Sequence, residues 1–201
     1  MPSRSSSRNR FAAVALLAVL AGCADVPAPP AETLAAAPLA GIEAIRGFDL
    51  SGRIAVKYDG LGFSGSLRWS HDARRDDILL LSPLGQGVAR IVRDADGVTL
   101  TSADETPHRA ASVEELTQAF LGWRLPIHGL EHWALGLPAP ETGWRGENGA
   151  NGRPERLYQD GWKVDYERYR TVQGVELPGR LEAAYGNTLE IRLVIDRWSL
   201  Q

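Results

Sequence analysis

From Gly47 onward the chain alternates apolar and polar residues with a period of two, in one run after another. Phe48, Leu50, Ile54, Val56 and Tyr58 alternate with Asp49, Ser51, Arg53 and Lys57. Phe63, Leu67 and Trp69 alternate with Ser64, Ser66 and Arg68. Successive side chains of a strand point to opposite faces, so these runs predict half-buried strands. Asp59-Gly60 joins the first two as a hairpin. Further strands are expected at 77–82, 88–93 and 98–102, with Asp96-Gly97 as another tight turn. Residues 157–159 pair plausibly with 162–169 across Asp160-Gly161. Leu181, Ala183 and Tyr185 alternate next, and Leu189, Ile191, Leu193 and Ile195 close the series. Many short strands with close turns predict an antiparallel meander with one apolar face. Such a sheet must bury that face by curling into a barrel or by taking a cover.

Helical patterns supply covers. Ser112-Val113-Glu114-Glu115 is a capping box, in which the serine oxygen caps the helix start. Val113, Leu116 and Phe120 then share a face, and Gly122 stops the helix. A shorter helix is expected over 128–135, ending at Gly136 with Pro138 beyond. Residues 32–45 predict a first helix interrupted at Pro38, and 148–153 a Gly-rich loop. The fold class is therefore mainly β with a few helices.

The N-terminal fifth reads as an address. Arg4, Arg8 and Arg10 precede the apolar run Phe11 to Gly22, which is shorter than the roughly 20 residues a spanning helix needs. That pairing is the pattern of a secretory signal, expected over residues 1–22. It ends in Leu20-Ala21-Gly22-Cys23, which resembles a bacterial lipobox, a class in which the cysteine is lipidated. Cys23 is the only cysteine of the chain, so no internal disulfide is possible. A lipid there would tether the protein without a membrane span. By the same resemblance, Ala24 in place of an aspartate directs the chain to the periplasmic face of the outer membrane. Residues 23–40 are Ala/Pro-rich and predict an extended tether, and 41–201 the folded domain. Removing residues 1–22 takes away three arginines and no acid, so a net charge of −3 becomes about −6. Without a basic stripe, nucleic acid is not an expected partner.

Enzyme signatures are weak. His128-Gly129-Leu130-Glu131-His132 matches H-x-x-E-H, an inverted zincin pattern. A metallopeptidase of that class needs a long active-site helix and a further carboxylate on another helix, and only strands follow here. The expected reading is two solvent-facing histidines on a cover helix, with Leu130 and Trp133 inward and no metal bound. There is no G-x-S-x-G and no P-loop, and the glycines of 146–152 lack the lysine of a phosphate cradle. No catalytic residue and no cofactor are expected.

The turn Ser82-Pro83-Leu84-Gly85-Gln86-Gly87 carries a bare leucine. Pro83 stiffens the approach, Gly85 and Gly87 free the exit, and the turn offers Leu84 no apolar neighbour. Leu84 is expected to protrude.

Taken in order, several pieces resemble the LolB family of bacterial outer-membrane lipoprotein receptors. They are the lipobox at Cys23, Ser51-Gly52-Arg53-Ile54-Ala55-Val56, Ser82-Pro83-Leu84-Gly85, Leu125-Pro126-Ile127, and Trp133-Ala134-Leu135-Gly136-Leu137-Pro138. The resemblance implies a half-open antiparallel barrel under a helical lid, enclosing an apolar cavity. It implies a monomeric receptor that takes acylated lipoproteins from a LolA-type periplasmic carrier and inserts them into the outer membrane. Cavity candidates on the apolar faces are Leu50, Ile54, Phe63, Leu67, Trp69, Trp133, Ile191 and Leu193. Pro83, Leu84 and Gly85 would form the membrane-insertion loop. The alternatives are another acyl- or small-ligand-binding lipoprotein and the H-x-x-E-H metallopeptidase.

Overall fold

The computed structural model describes residues 41–140 and 142–201. The expected signal segment, the Cys23 lipobox and all of the tether lie outside the described residues, as does most of the helix expected over 32–45. Only a short 3-10 turn, Ile42–Ala44, is seen of that helix.

The period-two runs form one antiparallel sheet. Its strands are β1 (Gly47–Tyr58), β2 (Leu61–Asp72), β3 (Arg75–Leu81), β4 (Gly87–Asp94), β5 (Gly97–Ser102), β6 (Pro107–Ala110), β7 (Trp144–Asn148), β8 (Pro154–Gln159) and β9 (Trp162–Glu167). A small hairpin of β10 (Arg170–Val172) and β11 (Val175–Leu177) stands apart, and β12 (Arg180–Tyr185) and β13 (Leu189–Leu200) complete the sheet. The spatial order of the eleven strands is β6-β5-β4-β3-β2-β1-β13-β12-β9-β8-β7. Closing the meander with β13 against β1 brings the two ends of the domain together: Phe48 pairs with Leu200 and Tyr58 with Leu189. Among the described residues β6 and β7 have no outer partner, so the sheet they form is open at both edges.

Register decides the faces. Leu50 pairs with Trp69 and Val56 with Phe63, so the apolar sets of β1 and β2 share one side. A bulge between Ser51 and Gly52 lets β13 keep Leu193 opposite Ile54 and Ile191 opposite Val56. Arg53, Lys57, Arg68 and Asp196 are left on the exposed side.

The buried face is covered by α1 (Val113–Leu121) and α2 (Ile127–Trp133). Ser112 Oγ accepts from the Glu115 N–H, as the capping box requires, and Gly122 ends α1 in the left-handed region. α2 begins one residue earlier and ends two residues earlier than expected, because Ala134 to Gly136 continue as tight turns and not as helix. Leu116, Leu125, Ile127, Leu130 and Trp133 join Phe48, Ile54, Ile78, Leu157, Ile191 and Leu193 in one core. β6, β7, β10 and β11 escaped the sequence reading because each is short and carries little alternation.

Candidate functional site

α2 covers the sheet over a small apolar cavity. Ile54 and Leu67, with Trp69, Ile78, Ile191 and Leu193, form the sheet wall, and Leu125, Ile127 and Leu130 form the cover. No polar atom lines it, so nothing in it rewards a polar ligand. About 300 Å³ is free of atoms, but the centre of a water-sized sphere reaches only about 10 Å³. That is room for one water at most. The cover is therefore shut.

Five of the eight cavity candidates line this space: Ile54, Leu67, Trp69, Ile191 and Leu193. Leu50 and Trp133 are buried in the surrounding core, and Phe63 is half-buried toward the end of its hairpin. Ile78 was missed although its strand was expected. Leu125, Ile127 and Leu130 were not among the cavity candidates, although Leu130 was expected to face inward; Leu125 precedes the helix and Ile127 opens it, so no helical period marks either.

Two polar ties hold α2 down. On one side, Arg93 of β4 donates from Nη2 to Glu131 Oε2 and from Nε to Asp76 Oδ2, the latter at 2.7 Å. Asp76 Oδ1 also accepts from Trp69 Nε1 at 2.8 Å and lies 2.8 Å from His71 Nδ1. Burial alone would push the Asp76 carboxyl up. The His71 and Trp69 hydrogen bonds and the Arg93 charge outweigh it and hold it below the usual carboxylate range. On the other side, Trp133 Nε1 donates to Gln159 Oε1 of β8 at 2.9 Å. The same oxygen accepts the Ala139 N–H, and Gln159 Nε2 donates to Ala139 O and Thr142 Oγ1. The buried amide thus has every hydrogen-bonding position filled.

Glu131, the acid of the H-x-x-E-H pattern, is one of these ties. Ligand atoms of His128, Glu131 and His132 do come within 4.8 Å of one another, as do those of His71, Asp76 and Glu131. Both groups use Glu131, whose carboxylate already holds the Arg93 guanidinium and lies 3.1 Å from His128 Nδ1. A metal would have to displace a cation already in place. Gly129 also has a packing reason: a Cβ there would come within 2.5 Å of the Trp133 ring.

The β3–β4 turn presents its leucine to solvent. Ser82 O accepts from the Gly85 N–H at 2.9 Å, which places Pro83 and Leu84 at the two central positions of a β-turn. Gly85 follows at φ 81°, a conformation glycine adopts without strain. Leu84 is 87% exposed.

A family model described as "Outer membrane lipoprotein LolB" matches residues 46–198. That span holds all of the sheet but the last two residues of β13, with both ties and the Leu84 turn. The chain belongs to the LolB family. An outer-membrane lipoprotein LolB of Thiobacillus denitrificans is 42% identical over 94% of this chain and 97% of its own length. Its counterpart in Nitrosococcus oceani is 38% identical over 92% of this chain and 94% of its own. Among solved structures, a LolA superfamily protein from Nitrosomonas europaea aligns with TM-score 0.50 at 14% identity, covering 85% of this chain and 94% of that one. A DUF1329 family protein from Desulfovibrio piger aligns with TM-score 0.55 at 8% identity, over 83% and 90% of the two chains. Identities this low speak for the fold alone, and the fold they share is the one the LolB resemblance implies.

Proposed function

We propose that this chain is a lipid-anchored receptor on the periplasmic face of the outer membrane. It accepts acylated lipoproteins from a LolA-type carrier and inserts them into that membrane. The observation that carries the reading is the dry apolar cavity under α2 in a chain of the LolB family. Acyl chains enter when α2 gives way, and the sheet wall from Ile54 to Leu193 receives them. Transfer needs no nucleotide when each station binds more tightly than the last, since about 1.4 kcal/mol is a tenfold step in affinity. Cys23 carries the anchor, and Pro83, Leu84 and Gly85 form the part that meets the bilayer. On this reading the receptor works as a monomer, without catalysis or cofactor, and the hold of Arg93 on Glu131 argues against a metal there.

The deciding experiment loads a radiolabelled lipoprotein on the carrier and mixes it with this protein in proteoliposomes. Cargo should move to the receptor and then to the lipid. Acyl-probe binding without cargo transfer would make the protein another acyl-binding lipoprotein instead. Peptide cleavage that depends on zinc and His128 would revive the enzyme reading.

A further inference from the structure

Resting on the reading of Leu84 as a membrane contact, we propose that Leu61 is a second one, so that two neighbouring hairpins enter the bilayer interface together. Among the described residues, Leu84 and Leu61 are the two most exposed large hydrophobics, at 87% and 72%. Leu61 follows the Asp59-Gly60 turn of the β1–β2 hairpin, and Leu84 tips the β3–β4 hairpin. Both turns lie at the end of the sheet opposite Gly47, where the chain enters it.

Ladder register alone sets the two tips at different heights. Leu81 pairs with Ser66, so the β1–β2 hairpin runs five residues further, from Ser66 to Leu61. α2 shows that these rows are not level with the mouth. Arg93 is linked through Asp76 and His71 to Phe48 on β1. Gln159 is linked through Trp162, Tyr185 and Leu189 to Tyr58. Phe48 and Tyr58 are ten positions apart, roughly 33 Å of strand. Yet the seven-residue α2, roughly 10 Å long, touches both Arg93 and Gln159. The strands therefore cross the mouth obliquely, as they do in closing barrels.

The drift is about ten residues over the seven strand steps from β4 to β8, or roughly 1.5 residues a step. Going from β2 to the β3–β4 turn recovers about two residues, and the turn itself rises about two beyond Leu81. The oblique run of the strands thus lifts the β3–β4 tip toward the height of the β1–β2 tip. On this proposal a flat apolar surface meets both. The surface that fits is the interface of a phospholipid bilayer, beside which the anchor holds the domain. Two leucines bury about twice the apolar area of one, and two points fix an orientation that one leaves free.

The test uses the full-length chain in phosphatidylethanolamine/phosphatidylglycerol liposomes. An environment-sensitive fluorophore is placed at Leu61→Cys, Leu84→Cys or Arg74→Cys, the last in the turn at the other end of β2. Wild type carried through the same labelling corrects for any label on Cys23. Nitroxide-bearing lipids should quench positions 61 and 84 and spare 74. Quenching at 84 without quenching at 61 overturns this inference and leaves the Leu84 reading standing. Quenching at neither overturns both. Protection of 61 by the carrier, with no response to lipid, also overturns it and assigns the residue to carrier docking. In delivery, Leu61→Glu should slow cargo release at least fivefold with acceptance unchanged, whereas Leu61→Phe should stay within twofold of wild type. Equal loss in both variants would mean a structural role for the hairpin and would overturn the proposal.

Discussion

Arg93 on β4 and Glu131 on α2 form an ion pair between wall and cover, and the same guanidinium holds Asp76 of β3. Asp76 and Glu131 are 1% and 8% exposed, and the Arg93 side chain that matches their charges reaches them from the partly exposed side. Breaking such a pair from one side is costly, because the other charge is left without a partner. Glu131→Gln keeps the shape and removes the charge. It should lower stability by about 1–3 kcal/mol, the cost of an unmade charged hydrogen bond. It should also speed acyl-probe binding, because α2 keeps only the Trp133–Gln159 tie at full strength. Stopped-flow fluorescence checks this, and an unchanged or slower association rate would show that α2 does not gate the cavity.

Asp76 gives the pH dependence a sign. Its carboxyl titrates lower in the folded protein than in the unfolded chain. The stability it contributes is therefore present above the unfolded value near 3.9 and is lost as pH falls through the lower folded value. Asp76→Asn should be destabilised at pH 7. Its deficit against wild type should shrink below about pH 4 as the wild-type carboxylate protonates. Melting temperatures of both proteins from pH 7 to pH 3 test this, and a deficit that grows toward acid would contradict the sign.

Gly129→Ala opposes helix propensity to packing. Propensity alone favours the alanine by about 1 kcal/mol. The new methyl, however, would meet the Trp133 ring at 2.5 Å, and that ring is pinned by its bond to Gln159. Overpacking of this kind costs about 1–3 kcal/mol. Chemical denaturation should show a net loss. A gain would mean the indole can swing away, and the Gln159 tie would then be weaker than its geometry suggests.

The alternation in β1, β2 and β13 is long enough that faces, and even cavity residues such as Ile54 and Leu193, could be read from the sequence. Leu84 was legible because a leucine between Pro83 and Gly85 has no local reason to be there. The ties were not legible. Arg93 and Glu131 lie in different elements, and on a sequence each is one more charged residue among many. Asp76 sits just outside the strand as first drawn, and its burial comes from Trp69, His71 and Arg93 converging on it from the sheet. Glu131 was noticed only for the H-x-x-E-H spacing, and the arginine its acid faces is revealed by no local pattern. Leu61 was passed over because it follows a hairpin turn whose register, not whose composition, leaves it uncovered.

Leu84→Glu separates acceptance from release. At 87% exposure the side chain supports nothing in the fold, so stability should change by less than about 0.5 kcal/mol. The cavity lies elsewhere, and cargo should pass from carrier to receptor at the wild-type rate. Release should fail, since a carboxylate resists entry into an apolar phase. The measurement is the partition of labelled lipoprotein between receptor and liposome after transfer. Normal partitioning would remove Leu84 from the mechanism.

The tether sets a last condition on the same step. The described chain begins at Gly41 and enters the sheet at Gly47, while Leu61 and Leu84 stand at the other end. β1 is twelve residues long, roughly 40 Å. For the tips to touch a membrane in which the proposed Cys23 anchor sits, the intervening chain must reach back along the domain by up to that distance. Cys23 and Gly41 are about 18 residues apart, and at ~3.3–3.6 Å per residue they reach about 60 Å at most. The length suffices, with a modest reserve. Deleting the ten residues from Val26 to Ala35 would leave about 8, reaching roughly 28 Å. That variant should still be acylated, fractionate with the outer membrane and accept cargo, yet deliver it poorly. Replacing the same ten residues with Gly and Ser should restore delivery, because reach and not sequence is what the step needs. Full delivery by the shortened chain would mean that the tips meet a membrane other than the one holding their own anchor.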